Sequence, residues 1–388
     1  MRIVIVGAGI AGLALALALH RSGRRCVVLE QSRGFAPVGA GVQLAPNASR
    51  LLLRLGLGER LAEVSVRPAR REVLEGTDGR LLHTTALGEE AEKRYGAPFY
   101  TLLRSDLHAL LLEAVPEGTV RTEHYVTDIL ENSDEVALHC ADGRQVHGDV
   151  AIGADGVHSS VRALLRPEHQ RPSGLSVYRG LVPASEAPEA TAEPGVRVWI
   201  GPDRYFARYP VSGGWRVSFN AMVPAHGPGP GSWTAGGRVE VLNRAFEGWA
   251  PEVLETVAAA QWVGEWGLQD HAPVPAWTSG RVALVGDAAH PMLPFFAQGA
   301  DQAVEDAVVL ARCLRGATAL TAGRALSRYA AARRARTDRI HALGRSSMEV
   351  LVREGAAPDG RPRLLADVEM ENADWVYGHD AGEEAPSA

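Results

Sequence analysis

The hydrophobic pattern opens with an uncharged run, Ile3 to Leu19, whose period changes at three glycines. Arg2 to Val6 is short and rich in β-branched residues, which is typical of a buried strand, and Leu13 to Arg21 is an apolar helix. Cys26 to Leu29 predicts a second strand. We therefore interpret the run as a buried βαβ unit, the nucleus of a doubly wound parallel sheet, and not as a targeting sequence.

The pattern then alternates between helical and strand periods. It predicts a glycine-rich loop, a helix, an antiparallel hairpin and a further helix, in that order: Phe35 to Asn47, Ala48 to Leu57, Arg71 to Thr85 and Arg104 to Val115. Strands at Val136 to Cys140 and Gln145 to Ile152 flank an Asp-Gly turn. The sequence returns to the first fold at this point.

A second sheet is predicted between Leu175 and Val223, where strand-like stretches are separated by proline and glycine turns: Val196 to Ile200, Tyr205 to Tyr209 and Trp215 to Asn220. A Pro/Gly loop at His226 to Gly237 and a helix near Val239 to Phe246 follow. Arg281 to Val285 is again a parallel-type strand, and Ala300 to Leu314 a strong helix. The second sheet is thus inserted into the first fold, and only the end after Glu371 is expected to be loose.

Composition excludes several classes of function. The chain has 388 residues, 46% hydrophobic and 22% charged, with a net charge of −6 of mixed signs. Neither nucleic acid nor an anionic membrane is expected as a partner. Cys26, Cys140 and Cys313 are too far apart for a zinc site or a disulfide framework, so we expect no metal and a reducing cytoplasm.

The turn Gly7-Ala8-Gly9-Ile10-Ala11-Gly12 has the spacing of a dinucleotide-binding motif. The first glycine allows the bend, the second lets a diphosphate approach the backbone, and the third permits close helix packing. The helix N-terminus offers free N–H groups and a partial positive charge. Glu30, with Gln31 beside it, stands where a carboxylate binds a ribose 2′-hydroxyl. Taken alone, the glycines could simply form a tight loop.

Two further signatures follow in a fixed order, Gly153-Ala154-Asp155-Gly156 and Gly286-Asp287-Ala288-Ala289-His290-Pro291. With the first turn, they resemble the single-component FAD-dependent aromatic hydroxylases, the family that includes salicylate and p-hydroxybenzoate hydroxylases. The resemblance covers about the first three quarters of the chain. It implies an α/β fold: a doubly wound FAD-binding domain (1–70, 99–174 and 272–388, with C-terminal helices) and an inserted, mostly antiparallel substrate domain (71–98 and 175–271).

The resemblance also implies which residues contact FAD. Asp287 would bind a ribityl hydroxyl and Arg104 the flavin side of the cofactor. Asp155-Gly156 would serve both the flavin diphosphate and the nicotinamide cofactor. The expected cofactor-binding residues are Gly7, Gly9, Ile10, Ala11, Gly12, Glu30, Gln31, Gly41, Val42, Arg104, Asp155, Gly156, Asp287, Pro294, Gln298, Gly299 and Ala300. There is no second GxGxxG turn, so NADH or NADPH would bind only transiently.

The segment Pro291 to Gly299 leads into the helix at Ala300, whose first N–H groups would face the pyrimidine edge of the flavin and stabilise negative charge there. Two positions depart from the family pattern. Ala297 stands where glycine is frequent, and Asp301 where asparagine is frequent. An ionised carboxylate beside the pyrimidine would oppose that charge, so we expect Asp301 to interact with the helix dipole and point away from the ring.

For the reaction, the resemblance implies hydroxylation of a phenolic or otherwise activated aromatic molecule by O2 through a flavin hydroperoxide, in a monomer or homodimer. Tyr205, Arg208 and Pro294 are the expected catalytic residues, with Tyr209 as a further pocket candidate. Tyr205 falls near a histidine of several relatives, and the two tyrosines could equally be sheet core. A flavin oxidoreductase without oxygen insertion and a non-catalytic binding protein stay open as alternatives.

Overall fold

The computed structural model describes residues 1–35, 40–165, 170–225, 239–353 and 365–383. Its strands are β1 Ile3–Val6, β2 Cys26–Leu29, β3 Gly41–Leu44, β4 Arg70–Glu75, β5 Leu81–Ala86, β6 Tyr100–Leu103, β7 Val120–Arg121, β8 Val126–Glu131, β9 Val136–Cys140, β10 Gln145–Gly148, β11 Val150–Gly153, β12 Gln170–Pro183, β13 Gly195–Gly201, β14 Arg204–Val211, β15 Arg216–Pro224, β16 Trp262–His271, β17 Thr278–Ser279 and β18 Val282–Leu284. Its α-helices are α1 Ile10–Arg21, α2 Pro46–Arg54, α3 Gly58–Val64, α4 Glu89–Tyr95, α5 Arg104–Ala114, α6 Ser160–Leu165, α7 Pro188–Ala192, α8 Val239–Ala245, α9 Pro251–Ala258, α10 Gly299–Leu314, α11 Ala322–Arg353 and α12 Leu365–Tyr377.

A six-stranded sheet forms the first unit, in the order β17-β18-β11-β1-β2-β7. All of its pairings are parallel except that of β17 with β18. All four residues of β1 and all four of β11 are buried, as expected for parallel strands covered on both faces. Helices α1 and α10 pack against each other beside this sheet. The doubly wound sheet expected from the sequence is confirmed.

A seven-stranded sheet forms the second unit, in the order β16-β12-β15-β14-β13-β4-β5. Its pairings are antiparallel except that of β13 with β4. β4 and β5 come from the early hairpin, and the other five strands come from residues 170–271. The sheet is therefore assembled from two insertions into the first fold, and the prediction of a mostly antiparallel second sheet is confirmed.

The two faces of this second sheet have different neighbours. One face carries Trp199, Phe206 and Phe219, which form a buried cluster with side chains of α8 and α9. The other face meets the first unit, where the Gly41 N–H donates to Ser218 Oγ at 3.0 Å. We call the first the helix-covered face and the second the inner face. Side chains alternate between the two along every strand.

Three local features differ from the sequence expectations. β3 lies inside the predicted glycine-rich loop and pairs with β6. α1 begins at Ile10, inside the glycine turn. Residues after Glu371 are helical as far as Tyr377, because α12 packs on α11.

The predicted loop at His226 to Gly237 lies outside the described residues. Of the helices that are described, none is both long and apolar enough to cross a bilayer.

Helices α10 and α11 are joined by a buried ionic network. The Arg333 guanidinium donates to Glu305 at 2.6 Å and to Asp306 at 2.7 Å, and all three side chains are fully buried. Arg336 donates to Glu305 at 2.8 Å. These cations hold the pKa of Glu305 down at about 2, against the opposing effect of burial. Such a network tolerates no missing member, because a lone buried charge has nothing to compensate it.

We predict that Arg333→Gln lowers the free energy of unfolding by about 3–5 kcal/mol, since it leaves buried Asp306 without its arginine and Glu305 with Arg336 alone. The neighbouring Arg334 is the matched control, because it pairs with Asp338 at 3.6 Å with both side chains more than 40% exposed. Arg334→Gln should cost less than about 1 kcal/mol. Urea unfolding of the two variants measures the difference. Equal losses would contradict the structural role given to Arg333.

Candidate active site

The three glycines of the first turn have three different surroundings. Gly7 has φ +103°, and a Cβ there would lie 2.5 Å from the Ala154 carbonyl oxygen. A Cβ on Gly12 would lie 2.0 Å from the carbonyl oxygen of Gly7. A Cβ on Gly9 would meet no described atom within 4 Å. The first and third glycines are thus required by the fold, and the open space lies over the second.

The N-terminus of α1 borders this open space. α1 begins with Ile10 and Ala11, and no side chain caps its first N–H groups. Glu30 follows β2, and its two carboxylate oxygens accept from the N–H of Ala8 at 2.9 Å and of Ser32 at 2.8 Å. Each oxygen keeps a lone pair for a further donor. The half-buried carboxylate of Glu30 therefore borders the turn, with Gln31 exposed beside it.

Asp155 has a local structural task. Its carboxylate accepts from the hydroxyl of Ser160 at 2.9 Å and the N–H of Val161 at 3.1 Å, and so caps α6. Gly156 has φ +78°, and the space where its side chain would stand is open to described atoms. The peptide before Asp155 packs on Gly7. This segment thus adjoins the first turn, although the Asp155 side chain is already committed to α6.

The late turn also adjoins the first. Gly286 has φ +59°, and a Cβ there would lie 2.8 Å from the Cβ of Ala11. Asp287 is exposed, and its Oδ1 lies 3.8 Å from the Cβ position of Gly299. The N-termini of α1 and α10 therefore flank the same turn, with the Asp287 carboxylate next to the start of α10.

The approach to α10 is tightly turned. Pro294 opens a short 3-10 turn, and Ala297 ends it with φ +50° and ψ +30°, a left-handed conformation in which glycine is unstrained. Gln298 is buried, and α10 begins with Gly299 and Ala300, again without a side-chain cap. The first N–H groups of α10 are thus available to an acceptor, as the sequence predicts.

β3 and β6 form the other wall. The Arg104 N–H donates to the Ala40 carbonyl at 2.8 Å, and its side chain is exposed at the start of α5. Gly41 is buried and Val42 half-buried in β3. A Cβ on Gly41 would lie 2.6 Å from Ser218 Oγ and 2.7 Å from the Tyr209 ring. The glycine therefore allows β3 to touch the inner face of the second sheet.

The structure separates the substrate candidates. Tyr205 and Tyr209 lie on the inner face, and the Tyr205 ring is 6.2 Å from that of Phe295, centroid to centroid. Arg208 lies on the helix-covered face, where it pairs with Glu189 at 2.8 Å and donates to Thr256 at 2.8 Å. The expectation that Arg208 belongs with the tyrosines is corrected here, because an odd spacing along a strand puts a side chain on the opposite face.

The same register reveals two polar residues that sequence reasoning missed. Arg179 of β12 stands opposite Asn220 of β15, which stands opposite Ala207 of β14. Arg179 and Asn220 therefore share the inner face with Tyr205. The Arg179 guanidinium lies 5.0 Å from the centre of the Trp266 ring. The face that Arg179 occupies follows only from the pairing of β12 with β15 and of β15 with β14, which the sequence does not show.

Electrostatics connect this face with the FAD-side residues. Burial lowers the pKa of Arg179, while Tyr209, Tyr205 and Asp287 are near enough to raise it and Arg104 near enough to lower it. Burial also raises the pKa of both tyrosines. Neither phenol is therefore a base at neutral pH, and the Tyr209 hydroxyl accepts a hydrogen bond from the Asn220 amide at 3.1 Å.

The residues of the first turn, the late turn and the inner face fit an extended FAD. There is open space over Gly9, an uncapped helix at each of two turns, and a carboxylate beside each turn, Glu30 and Asp287. N–H groups at helix ends bind diphosphate or anionic ring oxygens, and carboxylates bind sugar or ribityl hydroxyls.

Comparison with known proteins agrees with this geometry. A family model described as an FAD binding domain matches residues 1–343. The chain is 42% identical to a 3-amino-4-hydroxybenzoate 2-monooxygenase of Streptomyces platensis, over 98% of this chain and 96% of that one. It is 34% identical to a 3-hydroxybenzoate 6-hydroxylase of Polaromonas naphthalenivorans, with 98% and 96% covered.

A solved salicylate hydroxylase substrate complex superimposes with a TM-score of 0.83 at 28% identity, covering 100% of this chain and 98% of that one. These likenesses extend across both sheets, because nearly the whole of this chain is covered. The chain belongs to the FAD-dependent aromatic hydroxylases.

Proposed function

We propose that this chain is an FAD- and NAD(P)H-dependent monooxygenase that hydroxylates a phenol bearing a carboxylate, a hydroxybenzoate or an aminohydroxybenzoate. The observation that carries the substrate class is Arg179, a cation held on the inner face by Trp266 and close to Tyr205. A partly desolvated guanidinium favours a planar, bidentate anion. The relatives in the comparison are named for aromatic carboxylates, which supports the same class.

Asn220 would bind the polar group of the substrate ring. Its Nδ2 donates to the Tyr209 hydroxyl at 3.1 Å, and its Oδ1 is buried with no partner among the described residues. A buried carbonyl oxygen without a donor is costly, so a substrate hydroxyl or amino group would stabilise the site by satisfying it. Arg179 and Asn220 would then fix the two ends of one aromatic ring.

The rest of the site orients the reactants. Bound FAD, reduced by NADH or NADPH, supplies the oxidising chemistry with O2. Pro294 and Tyr205 would line the ring and exclude water, Glu30 and Asp287 would hold the ribose and ribityl hydroxyls, and the uncapped start of α10 would stabilise negative charge at the pyrimidine edge. Asp155 would contribute only through the shape of its turn.

The domain division is part of this proposal. The segments 1–70, 99–174 and 272–388 would form the FAD-binding domain, and 71–98 with 175–271 the substrate domain.

Cys26, Cys140 and Cys313 are all free, which supports a cytoplasmic location. We propose a monomer or homodimer.

The decisive experiment offers the yellow holoenzyme a panel of phenols with NADH or NADPH under labelled O2. 3-Amino-4-hydroxybenzoate and simple hydroxybenzoates should stimulate NAD(P)H oxidation and gain one labelled oxygen atom. The decarboxylated phenols, which are the matched controls, should show KM values about 10–100-fold higher because they lack the carboxylate that Arg179 would bind. If NAD(P)H is oxidised but the aromatic product carries no labelled oxygen, the chain is instead an oxidoreductase that does not insert oxygen.

We predict that Arg179→Gln raises KM for the carboxylated substrate about 10–100-fold, the loss of a charged hydrogen-bond pair. The same variant should barely change KM for the decarboxylated phenol. Arg208→Gln is the control, since that arginine lies on the other face of the sheet. It should reduce thermal stability and leave KM within about twofold. A KM increase for both phenols in Arg179→Gln would argue against carboxylate binding.

We predict that Gly9→Val weakens FAD binding about 10–100-fold without unfolding the protein. Gly9 has φ −78° and ψ −174°, which valine adopts freely, and its side chain would enter the open space. The size of this loss of affinity follows from the hydrogen bonds that the N–H groups of the turn would no longer donate to the charged diphosphate of FAD. FAD titration of the apoprotein and its thermal melting measure the two effects. Gly34→Val, on an open loop, is the control that should change neither.

A further inference from the structure

Asp301 is the acidic residue that departs from the family pattern, and its surroundings differ from the sequence expectation. It lies in the first turn of α10 but is fully buried. Its Oδ2 accepts from the Ala45 N–H at 3.1 Å and from the Gln298 amide at 2.8 Å. Its Oδ1 is buried and has no partner among the described residues. The carboxyl is therefore bonded on one oxygen only.

The charges nearby are already balanced without Asp301. Two cations reach this region from α11, Arg333 and Arg336, and they bind two other carboxylates, Glu305 and Asp306. No described cation contacts Asp301. A third buried carboxylate in the same helix would be an uncompensated charge, which costs several kcal/mol and is normally avoided by protonation.

The remaining groups around Asp301 do not supply the missing charge. Gln298, Gln302 and Asn47 are neutral amides that bond to one another and to Glu305. His379 lies 3.6 Å from Glu305, and burial lowers its pKa to about 4, so it is neutral. His290 bonds to Asp306 at 2.6 Å. The stretch of α1 from Ile10 to Leu19 carries no charge.

Burial and the Glu305 carboxylate act together on Asp301. Burial is the larger influence, and both raise its pKa, against the lowering effects of the Ala45 N–H, Gln298 and Arg336. Glu305 lies one helical turn away and is ionised. Asp301 and Glu305 lie on one face of α10, and the arginines contact only Glu305. When two carboxyl groups are this close, the one without a cation has the higher pKa, and that group is Asp301.

We propose that Asp301 is a neutral carboxylic acid that positions the flavin site: it ties the turn between β3 and α2 to the first turn of α10 without adding negative charge there. This rests on the proposed FAD site only for its consequence. β3 and α10 form opposite walls of that site, so the Ala45 contact sets their separation. Because the acid is uncharged, the positive end of α10 stays available to an anionic ring.

The test of the protonation state uses apoprotein and does not depend on FAD. A carboxyl that is protonated in the fold and ionised when unfolded makes the folded state bind more protons above about pH 4. Stability then falls as pH rises. Relative to Asp301→Asn, the unfolding equilibrium constant of the wild type should rise with pH above about pH 5, by up to about tenfold per pH unit for as long as Asp301 stays protonated in the fold. A difference that does not vary with pH would overturn the proposal.

Glu305→Gln is the matched control. Glu305 has a lowered pKa, so its contribution to stability is complete above about pH 5 and would be lost only in acid. The unfolding equilibrium constant of Glu305→Gln should exceed that of the wild type by the same factor at every pH from 5 to 8. Infrared difference spectra give a direct second readout: the carbonyl band of a protonated buried carboxyl should disappear in Asp301→Asn and persist in Glu305→Gln. Absence of that band in the wild type would also overturn the proposal.

Positioning is tested by rescue. Asp301→Ala removes the acceptor of the Ala45 N–H and should weaken FAD binding about tenfold, the cost of one lost buried hydrogen bond. Asp301→Asn keeps an acceptor and should restore most of that affinity. Equal weakening in both variants would show that charge or packing, and not the hydrogen bond to the Ala45 N–H, causes the effect. If FAD does not bind the wild type at all, the proposed function fails while the pH test of Asp301 still stands.

Discussion

The Asp306 carboxylate is the contact on which the arrangement of the site depends. One of its oxygens accepts the Gly286 N–H at 2.9 Å and the His290 ring at 2.6 Å, and the other accepts Arg333. The turn that carries Asp287 is thereby fixed to α10, and α10 to α11. Since α1 also packs on α10, the first glycine turn and the turn that carries Asp287 both take their positions from one helix. Rigid support of this kind is what a site for a long cofactor requires.

The second sheet contributes through its two faces. The helix-covered face buries aromatic side chains under α8 and α9, which gives the insertion a core of its own. The inner face carries the polar groups Arg179 and Asn220, whereas buried Arg208, on the helix-covered face, is compensated there by Glu189 and Thr256. Gly41 and Ser218 then bring this face into contact with β3. We propose that these strands serve stability through one face and substrate recognition through the other.

Sequence reasoning predicted the frame of the protein better than its pocket. The glycine turn and the order of the three motifs determine local backbone, so the βαβ unit, the inserted sheet and α10 were predictable. β3 was missed because four residues in a glycine-rich stretch carry no clear period. The end of α12 after Glu371 was expected to be loose because that helix is stabilised by tertiary contacts, such as those of Arg336 with the Trp375 ring and the Val376 carbonyl, and not by local pattern.

The pocket required strand pairing that no sequence pattern contains. Arg208 and Tyr205 are three residues apart, which looks close in sequence but places them on opposite faces. Arg179 is 26 residues before Tyr205 in sequence and shares its face through two intervening pairings. Asp287 and Glu30 were predictable, because each follows a strand at the edge where parallel sheets bind ligands. Residues that act through the backbone topology of one motif can be predicted, and those that meet across strands cannot.

The acidic face of α10 explains how a helix that we propose begins at the flavin can carry three carboxylates. Their charge would oppose an anionic ring if it were not compensated. α11 supplies two arginines, which neutralise Glu305 and Asp306 at depth in the protein, and burial without a cation leaves Asp301 protonated. The helix thus gains the buried hydrogen bonds of acidic side chains while its N-terminus keeps its positive potential. Charge balance along α10, more than any single contact to the cofactor, determines the electrostatic character of this site.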